Sequence, residues 1–357
     1  MSALTREALW ERLRAASLVE GEAPAPDEQR SPWFVRLMLG FAGWMGALFL
    51  LLFVGIALAV VVRSAALSVA VGAGACFAAT AIFRAARGDF ASQFGFAVSL
   101  AGQGLIGFGL SQLLGARSLA SAAALSAVVQ AALFALVPNY GHRIWCAFTA
   151  AYAAALALAN AGLQPFVPAL VTGAFLAVWL REFERPERGE LVRAAGYGLA
   201  AAALFAAVLQ GGLWHGLMGL LGERASGPGR ALGWAGAVAS GAVLVAAVLA
   251  LLRREGVPPG SRPGRFALGA AALLALISLK APGLGPAVAI LVVGYANGNR
   301  VLAGAGIAAL IGYLSHYYYS LQATLLEKSA LLAAAGIALL LLRLALHRWW
   351  PPKDAHA

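Results

Sequence analysis

The chain has 357 residues, of which 61% are hydrophobic and 11% are Asp, Glu, Lys or Arg, and its formal net charge at pH 7 is +11. Its mean hydropathy is +0.81. An ordinary water-soluble domain is excluded, since such domains are about 25% charged. Nucleic acid is a poor partner for this basic chain, because no basic run is interleaved with aromatic residues.

The chain begins with a short polar segment, followed by the apolar part. Residues 4–18 predict a weakly amphipathic helix, and the Pro-containing stretch 21–32 predicts a hinge. The helix is interpreted as a membrane-surface element or as a solvated cap. The cap is favoured, because Glu7 and Glu11 dilute the positive charge. We expect three regions: a cytoplasmic helix and hinge at 1–32, a transmembrane domain at 33–350 and a cytoplasmic tail at 351–357.

Long apolar segments dominate the rest of the chain. A bilayer span needs about 20 predominantly apolar residues, and we predict about 12 spans in an all-α polytopic transmembrane helix bundle. The count falls to about 10 if 266–297 is a re-entrant hairpin around the sequence APGLGP. The predicted spans are 33–62, 65–83, 91–114, 119–137, 144–163, 165–180, 194–221, 231–252, 266–280, 286–297, 301–320 and 329–347.

The basic residues predict the orientation of these spans. Of the 26 Lys and Arg residues, 20 lie in or beside the two tails and the gaps that follow the even-numbered spans, counting Arg36 near the start of the first span and Arg343 near the end of the last, and 6 lie in or beside the opposite gaps. Cytoplasmic loops carry the excess of Lys and Arg. Both termini are therefore predicted to be cytoplasmic.

The third predicted span has a periodic row of small residues. Glycine recurs every seven residues with serine between, and this spacing predicts close approach of a neighbouring helix. The helix-packing row consists of Gly88, Ser92, Gly95, Ser99, Gly102 and Gly109.

Four amides of the apolar segments, Gln103, Gln130, Asn160 and Gln210, are candidate polar groups within the membrane. They predict either a polar cavity near the midplane or hydrogen bonds between helices, and we favour hydrogen bonds. The charged gap 181–193 divides the predicted spans six and six, which is typical of transporters built from two halves. The two halves show no convincing sequence repeat.

The fifteen acidic residues all lie in tails, gaps or span edges. This distribution lowers the expectation of an ion-coupled transporter, which keeps an ionisable group in the membrane. No phosphate-binding loop, zinc helix or nucleophile elbow occurs. We therefore predict no catalytic residues, no cofactor and no metal site. Cys76 and Cys146 are interpreted as small buried residues.

The best candidate site is the Tyr-rich segment 312–329. If the helix continues through it, one face carries Tyr313, His316, Tyr317, Ser320, Thr324 and Glu327, with Lys328 beside it. Such a face could bind a partner protein, a lipid head group or a polar solute. The alternative, slightly favoured by composition, is an aromatic belt at the outer interface. The Asn/Gly-rich stretch 294–300 is interpreted as a structural turn.

Three segments, 31–51, 90–105 and 317–343, resemble an uncharacterised bacterial family of multi-pass membrane proteins, known as a domain of unknown function. The likeness extends from about Trp10 to Trp350 and implies a location in the bacterial inner membrane. Members of that family are often encoded beside a small membrane-anchored protein named for a GDYXXLXY motif. The resemblance therefore implies such a partner. It implies no activity.

Two functions are carried forward. The first is a non-enzymatic inner-membrane protein that binds or stabilises a membrane-anchored, outward-facing partner protein. The alternative is a transporter or flippase of a lipid-like or neutral solute. An intramembrane enzyme has no signal in the sequence, because no nucleophile and base are spaced to act together.

Overall fold

The structure is a computed structural model of the chain. It describes residues 6–21, 61–85, 88–114, 119–184, 186–208, 230–279 and 283–320, and single positions within 35–49 and 326–344. These residues form helices and turns, and none of them forms a β-strand. The predicted all-helical fold class is therefore confirmed.

In chain order, the α-helices of these ranges are α1 (Arg6–Ala15), α2 (Ala65–Ala85), α3 (Asp89–Leu113), α4 (Leu119–Leu136), α5 (Tyr140–Leu158), α6 (Val167–Trp179), α7 (Gly189–Val208), α8 (Arg230–Arg254), α9 (Arg262–Ser278), α10 (Leu284–Ala296) and α11 (Arg300–Ser320). Helix α1 lies within the segment predicted to precede the membrane. Each helix from α2 to α11 overlaps one predicted span.

Six helical segments among the described residues are long and apolar enough to cross a membrane. They are Ala65–Ala85, Phe90–Leu113, Leu119–Leu136, Tyr140–Trp179, Gly189–Val208 and Ala231–Arg254. Large apolar side chains point outward from them: Phe77 is 79% exposed and Leu136 is 69% exposed. Such exposure is unfavourable in water and suits contact with lipid. The fold is that of a helical membrane protein.

The longest of these segments is interrupted between α5 and α6. A π-helical turn at Ala159–Leu163 is followed by a 3-10 turn at Gln164–Phe166. Gly162 has φ 86° and ψ 2°, a backbone conformation that glycine adopts without steric cost. The α-helix therefore stops at the end of α5 and restarts after Pro165.

Helices α5 and α6 run antiparallel across this interruption. Near the start of α5, Arg143 Nη1 donates to Glu190 Oε1 of α7 at 3.3 Å. Just after α6, Glu182 Oε1 accepts from Arg193 Nε of α7 at 2.8 Å. The start of α5 and the end of α6 thus lie at the same end of the helices, so Gly162 marks a reversal of the chain.

The chain forms two compact units, Met1–Ala59 with Ala75–Ala101 and Val60–Gly74 with Gly102–Ala357. In the first unit, the middle of α3 packs closely on the end of α2. A Cβ atom on Gly95 would lie 3.0 Å from Ile82 Cγ2 and 3.2 Å from Phe83 Cε1. The small residue at this position is therefore what allows the approach.

In the second unit, helices α5, α6, α7, α8, α10 and α11 contribute to one apolar core. Its largest members are Phe175, Trp179 and Ile290, each 0% exposed, and Leu302, 1% exposed. Small residues bring α7 against its neighbours, since a Cβ on Gly198 would lie 2.6 Å from the carbonyl oxygen of Ile144 in α5. The core is close-packed across helices far apart in sequence.

A short motif occurs twice in the second unit. The sequence GLQP (162–165) precedes α6, and GLGP (283–286) opens α10. Each motif leads into a helix of 13 residues, which is about 20 Å long and shorter than the roughly 30 Å hydrocarbon core. The two halves of the chain therefore resemble each other locally, in a short motif that leads into a short helix.

Candidate functional site

A groove of about 550 Å³ lies between the end of α7, the start of α10 and the second half of α11. We call it the alanine-lined groove. Its lining consists of Leu204, Ala207, Val208, Gly283, Ala287, Ala305, Ala308, Ala309, Gly312, Tyr313 and His316. Among the described residues that line it, only Tyr313 and His316 bring polar side-chain atoms to the groove. The groove is thus an apolar space with two polar groups at one end.

Two residues of the predicted Tyr-rich face, Tyr313 and His316, line this groove. Tyr317 and Ser320 belong to α11, and Thr324, Glu327 and Lys328 lie outside the described residues. The ring of Tyr313 packs directly on Gly283, where a Cβ atom would overlap ring carbons Cδ2 and Cε2. Glycine in the GLGP motif therefore makes room for Tyr313.

The floor of the groove on α11 is made of small residues at four-residue spacing. Ala305 and Ala309 form one pair, and Ala308 and Gly312 form another. Pairs with this spacing let a second helix approach closely within lipid. No heavy atom lies within 4 Å of a Cβ built on Gly312. A side chain placed at that position would enter open space.

The C-terminal ends of α6 and α10 meet in a hydrogen-bonded group that we call the polar network. It consists of Glu182, Arg193, Tyr197, Arg254, Asn297 and Asn299. Asn297 Nδ2 donates to Glu182 Oε2 at 3.0 Å and to the carbonyl oxygen of Trp179 at 3.2 Å. Asn297 Oδ1 accepts from Arg254 Nη1 at 2.7 Å. Glu182 is 6% exposed. Its buried carboxylate is stabilised by charge-assisted hydrogen bonds.

Asn299 extends the polar network to α7 and α11. Its Nδ2 donates to Tyr197 Oη at 2.8 Å, and its Oδ1 accepts from the backbone N–H of Leu302 at 3.1 Å. The second bond caps the N-terminus of α11. Gly298 between the two asparagines has φ 64°, which favours glycine. The predicted turn at 294–300 therefore also joins five helices. The Asn-Gly-Asn sequence at 297–299 was the local signal for this joining role.

The polar network and the neighbouring Arg143–Glu190 pair together join four gaps for which the sequence predicts one side of the membrane. Direct hydrogen bonds link Arg143 to Glu190, Glu182 to Arg193 and Arg254 to Asn297. These residues lie in or beside the gaps that follow the fourth, sixth, eighth and tenth predicted spans. Successive helices from α5 to α11 therefore run alternately away from and toward the end that carries the polar network.

A second polar group, the amide cluster, joins α3, α4 and α5. Gln103 Oε1 accepts from Gln130 Nε2 at 3.0 Å and from Trp145 Nε1 at 3.3 Å. Since both bonds occupy the oxygen, Gln103 Nε2 faces His142 Nε2 at 3.2 Å. An amide nitrogen can only donate, so His142 Nε2 accepts and its proton lies on Nδ1. That nitrogen is 3.4 Å from Cys146 Sγ.

Two of the four predicted amides, Gln103 and Gln130, bond to each other between helices α3 and α4. Asn160 donates to the carbonyl oxygen of Leu156 at 2.8 Å, about 27 Å along the helix axis from His142. Gln210 lies outside the described residues.

Sequence reasoning did not single out His142, Trp145 and Cys146 as partners of the amides. Their spacing at i, i+3 and i+4 puts them on one face of α5, and this was the only local signal. His142 and Cys146 are 0% exposed and Gln103 is 8% exposed. Within the described ranges, no three His, Cys, Asp or Glu side chains are grouped to hold a metal ion.

The helix-packing row of α3 makes several close contacts with α2. In the second unit, a Cβ on Gly109 would lie 2.6 Å from the carbonyl oxygen of Ala65, and a Cβ on Gly72 would lie 2.6 Å from that of Gly102. In the first unit, Cys76 Sγ is 3.8 Å from the Ser99 carbonyl oxygen. Gly88 and Ser92 occupy the start of the row, and a Cβ on Gly88 would meet open space.

Together, the six long apolar helices and their buried polar contacts define a helical membrane protein. A family model described as a domain of unknown function, DUF4401, matches residues 32–349. The chain belongs to this family, so the predicted likeness to a domain of unknown function is confirmed. Neither the curated proteins nor the solved structures contain a match to the chain.

Proposed function

We propose that this protein is a non-enzymatic bacterial inner-membrane protein that binds and stabilises a membrane-anchored, outward-facing partner. In this proposal about 12 helices cross the membrane and both termini are cytoplasmic. The observation that carries it is the alanine-lined groove on α7, α10 and α11.

The position of the groove supports an outward-facing partner. Helix α11 begins at Arg300, beside the polar network. Tyr313 and His316 lie about 20 and 24 Å further along its axis, toward the other end. The positive-inside rule assigns the end with the polar network to the cytoplasm. The groove then opens toward the outer leaflet.

The chemistry of the groove supports a transmembrane helix as its occupant. Association of helices in lipid depends on close packing, and small residues at four-residue spacing permit it. The pairs Ala305/Ala309 and Ala308/Gly312 supply such a surface. Tyr313 and His316 supply hydrogen-bonding groups at its end. The GDYXXLXY-type protein implied by the family resemblance is membrane-anchored, and its anchor is the occupant that we propose.

The test uses two leucine substitutions on α11. Gly312 and Gly304 both have open space where a Cβ would lie, but only Gly312 lines the groove. Gly312→Leu should fill the groove without disturbing the fold, and Gly304→Leu is the matched control. The tagged chain is purified in mild detergent from native membranes, and co-eluting proteins are quantified by mass spectrometry.

We expect wild type and Gly304→Leu to retain a stoichiometric membrane-anchored partner, and Gly312→Leu to lose most of it at equal expression. The triple variant Tyr313→Ala/Tyr317→Ala/Glu327→Ala should also recover less partner while remaining in the membrane. Equal recovery by Gly312→Leu and wild type would contradict the groove as the binding surface. Recovery of the wild type without any co-eluting membrane-anchored protein would contradict partner binding.

The alternative, a transporter or flippase of a lipid-like or neutral solute, has one observation in its favour. The GLQP and GLGP motifs each precede a short helix, and interrupted helices in repeated elements are common in transporters. Reconstitution into vesicles with a fluorescent phospholipid tests it. Leaflet-to-leaflet transfer above that of empty vesicles would support this function, and background transfer would oppose a lipid flippase.

A further inference from the structure

A second cavity, of about 430 Å³, lies at the end of the helices that carries the polar network. We call it the arginine cavity. The end of α4, the end of α6, the start of α7 and the loop between α6 and α7 line it. Its lining consists of Phe134, Ala177, Val178, Arg181, Glu184, Arg188, Leu191, Val192 and Ala195. The lining therefore combines six apolar residues with three charged side chains.

The charges of this cavity are unevenly balanced. Two neighbouring carboxylates are already engaged outside it, since Glu182 accepts from Arg193 and Glu190 accepts from Arg143. Glu184 is the one carboxylate among the described residues of the lining. Arg181 and Arg188 are both exposed, and neither forms an ion pair with another described residue. The lining thus offers two guanidinium groups against one carboxylate.

We infer that the arginine cavity binds an acidic phospholipid, with its phosphate at Arg181 and Arg188 and an acyl chain along the apolar wall. Guanidinium groups match phosphate oxygens with paired hydrogen bonds. Basic pockets between helices at the cytoplasmic surface are suited to anionic head groups. The wall formed by Phe134, Val178 and Leu191 adds an apolar surface that a free anion would not use.

Native mass spectrometry of the full chain in detergent tests this site. The probes are phosphatidylglycerol and phosphatidylcholine with identical acyl chains, and inorganic phosphate is added as a competitor. The variant Arg181→Ala/Arg188→Ala is compared with Arg253→Ala/Arg262→Ala. The control pair removes the same charge from exposed positions that do not line the cavity. Ala177→Trp narrows the cavity from its exposed edge and leaves both arginines in place.

We expect wild type and the control pair to prefer phosphatidylglycerol. The Arg181→Ala/Arg188→Ala variant should bind it about 10-fold to 30-fold more weakly, because each basic residue near an anionic head group raises the affinity about 3-fold to 5-fold. Ala177→Trp should also weaken lipid binding. Equal weakening by the control pair would show a general charge effect and overturn the site. Displacement of the lipid by millimolar phosphate, or equal binding of phosphatidylcholine, would overturn it as well.

Discussion

Asn297 donates a hydrogen bond through Nδ2 to Glu182 Oε2 at 3.0 Å, although 115 residues separate the two side chains in sequence. The bond ties the loop after α6 to the end of α10. Because Arg193 and Arg254 bond to the same two side chains, one buried carboxylate and one amide link four helices. The polar network is therefore expected to stabilise this end of the protein.

The first prediction concerns Glu182. Glu182→Ala removes the acceptor for Asn297 and Arg193, and we expect it to lower the free energy of unfolding by about 2–3 kcal/mol, as for hydrogen bonds to charged groups. The lower end of the range is favoured because the Arg193 side chain is 56% exposed and therefore partly solvated. Thermal unfolding in detergent measures the effect. Glu187→Ala, an exposed acid of the same loop, is the control and should leave the melting temperature unchanged.

The second prediction concerns the amide cluster. Gln103→Leu leaves Gln130, Trp145 and His142 without their shared partner, and we expect a loss of about 1–3 kcal/mol in stability. Gln130→Leu should cost less, since its buried Oε1 makes no hydrogen bond in the structure. A double-mutant cycle should give a coupling near 0.6 kcal/mol, the average for hydrogen bonds between membrane helices. Additive effects would argue against the Gln103–Gln130 bond.

The third prediction separates packing from helix propensity on α3. A Cβ on Gly109 would meet the carbonyl oxygen of Ala65 at 2.6 Å, whereas a Cβ on Gly107 would meet open space. Gly109→Ala should therefore destabilise the protein by about 1–3 kcal/mol through overpacking. Gly107→Ala should be neutral or slightly stabilising, because alanine favours helix by about 1 kcal/mol over glycine. Equal effects of the two substitutions on the melting temperature would contradict the close approach of α2 and α3.

Local patterns accounted for much of the helical architecture and less of the polar contacts. Apolar segment length located α2 to α11, and the seven-residue spacing of small residues marked positions of α3, including Gly109, that pack on α2. The amides Gln103 and Gln130 were recognisable as candidates. Their pairing depends on which helices are neighbours, which a local pattern does not contain.

The polar network and the alanine-lined groove were harder to foresee for the same reason. Glu182 was counted among the acids of a charged gap, and the structure buries it beside Asn297 and Arg193. Tyr313 and His316 were identified from their helical spacing. The alanines beside them on α11, α10 and α7 have no distinguishing signal in a chain so rich in small apolar residues.

The last prediction concerns orientation, which we propose from the distribution of Lys and Arg. Asn160 is exposed at the end of α5 away from the polar network, and Glu187 is exposed in the loop beside it. Cys76 and Cys146 are 6% and 0% exposed, so their background labelling should be low. In spheroplasts, a membrane-impermeant maleimide should label Asn160→Cys and should label Glu187→Cys only after permeabilisation. The reverse pattern would place the polar network outside, and the alanine-lined groove could not then face an outward partner.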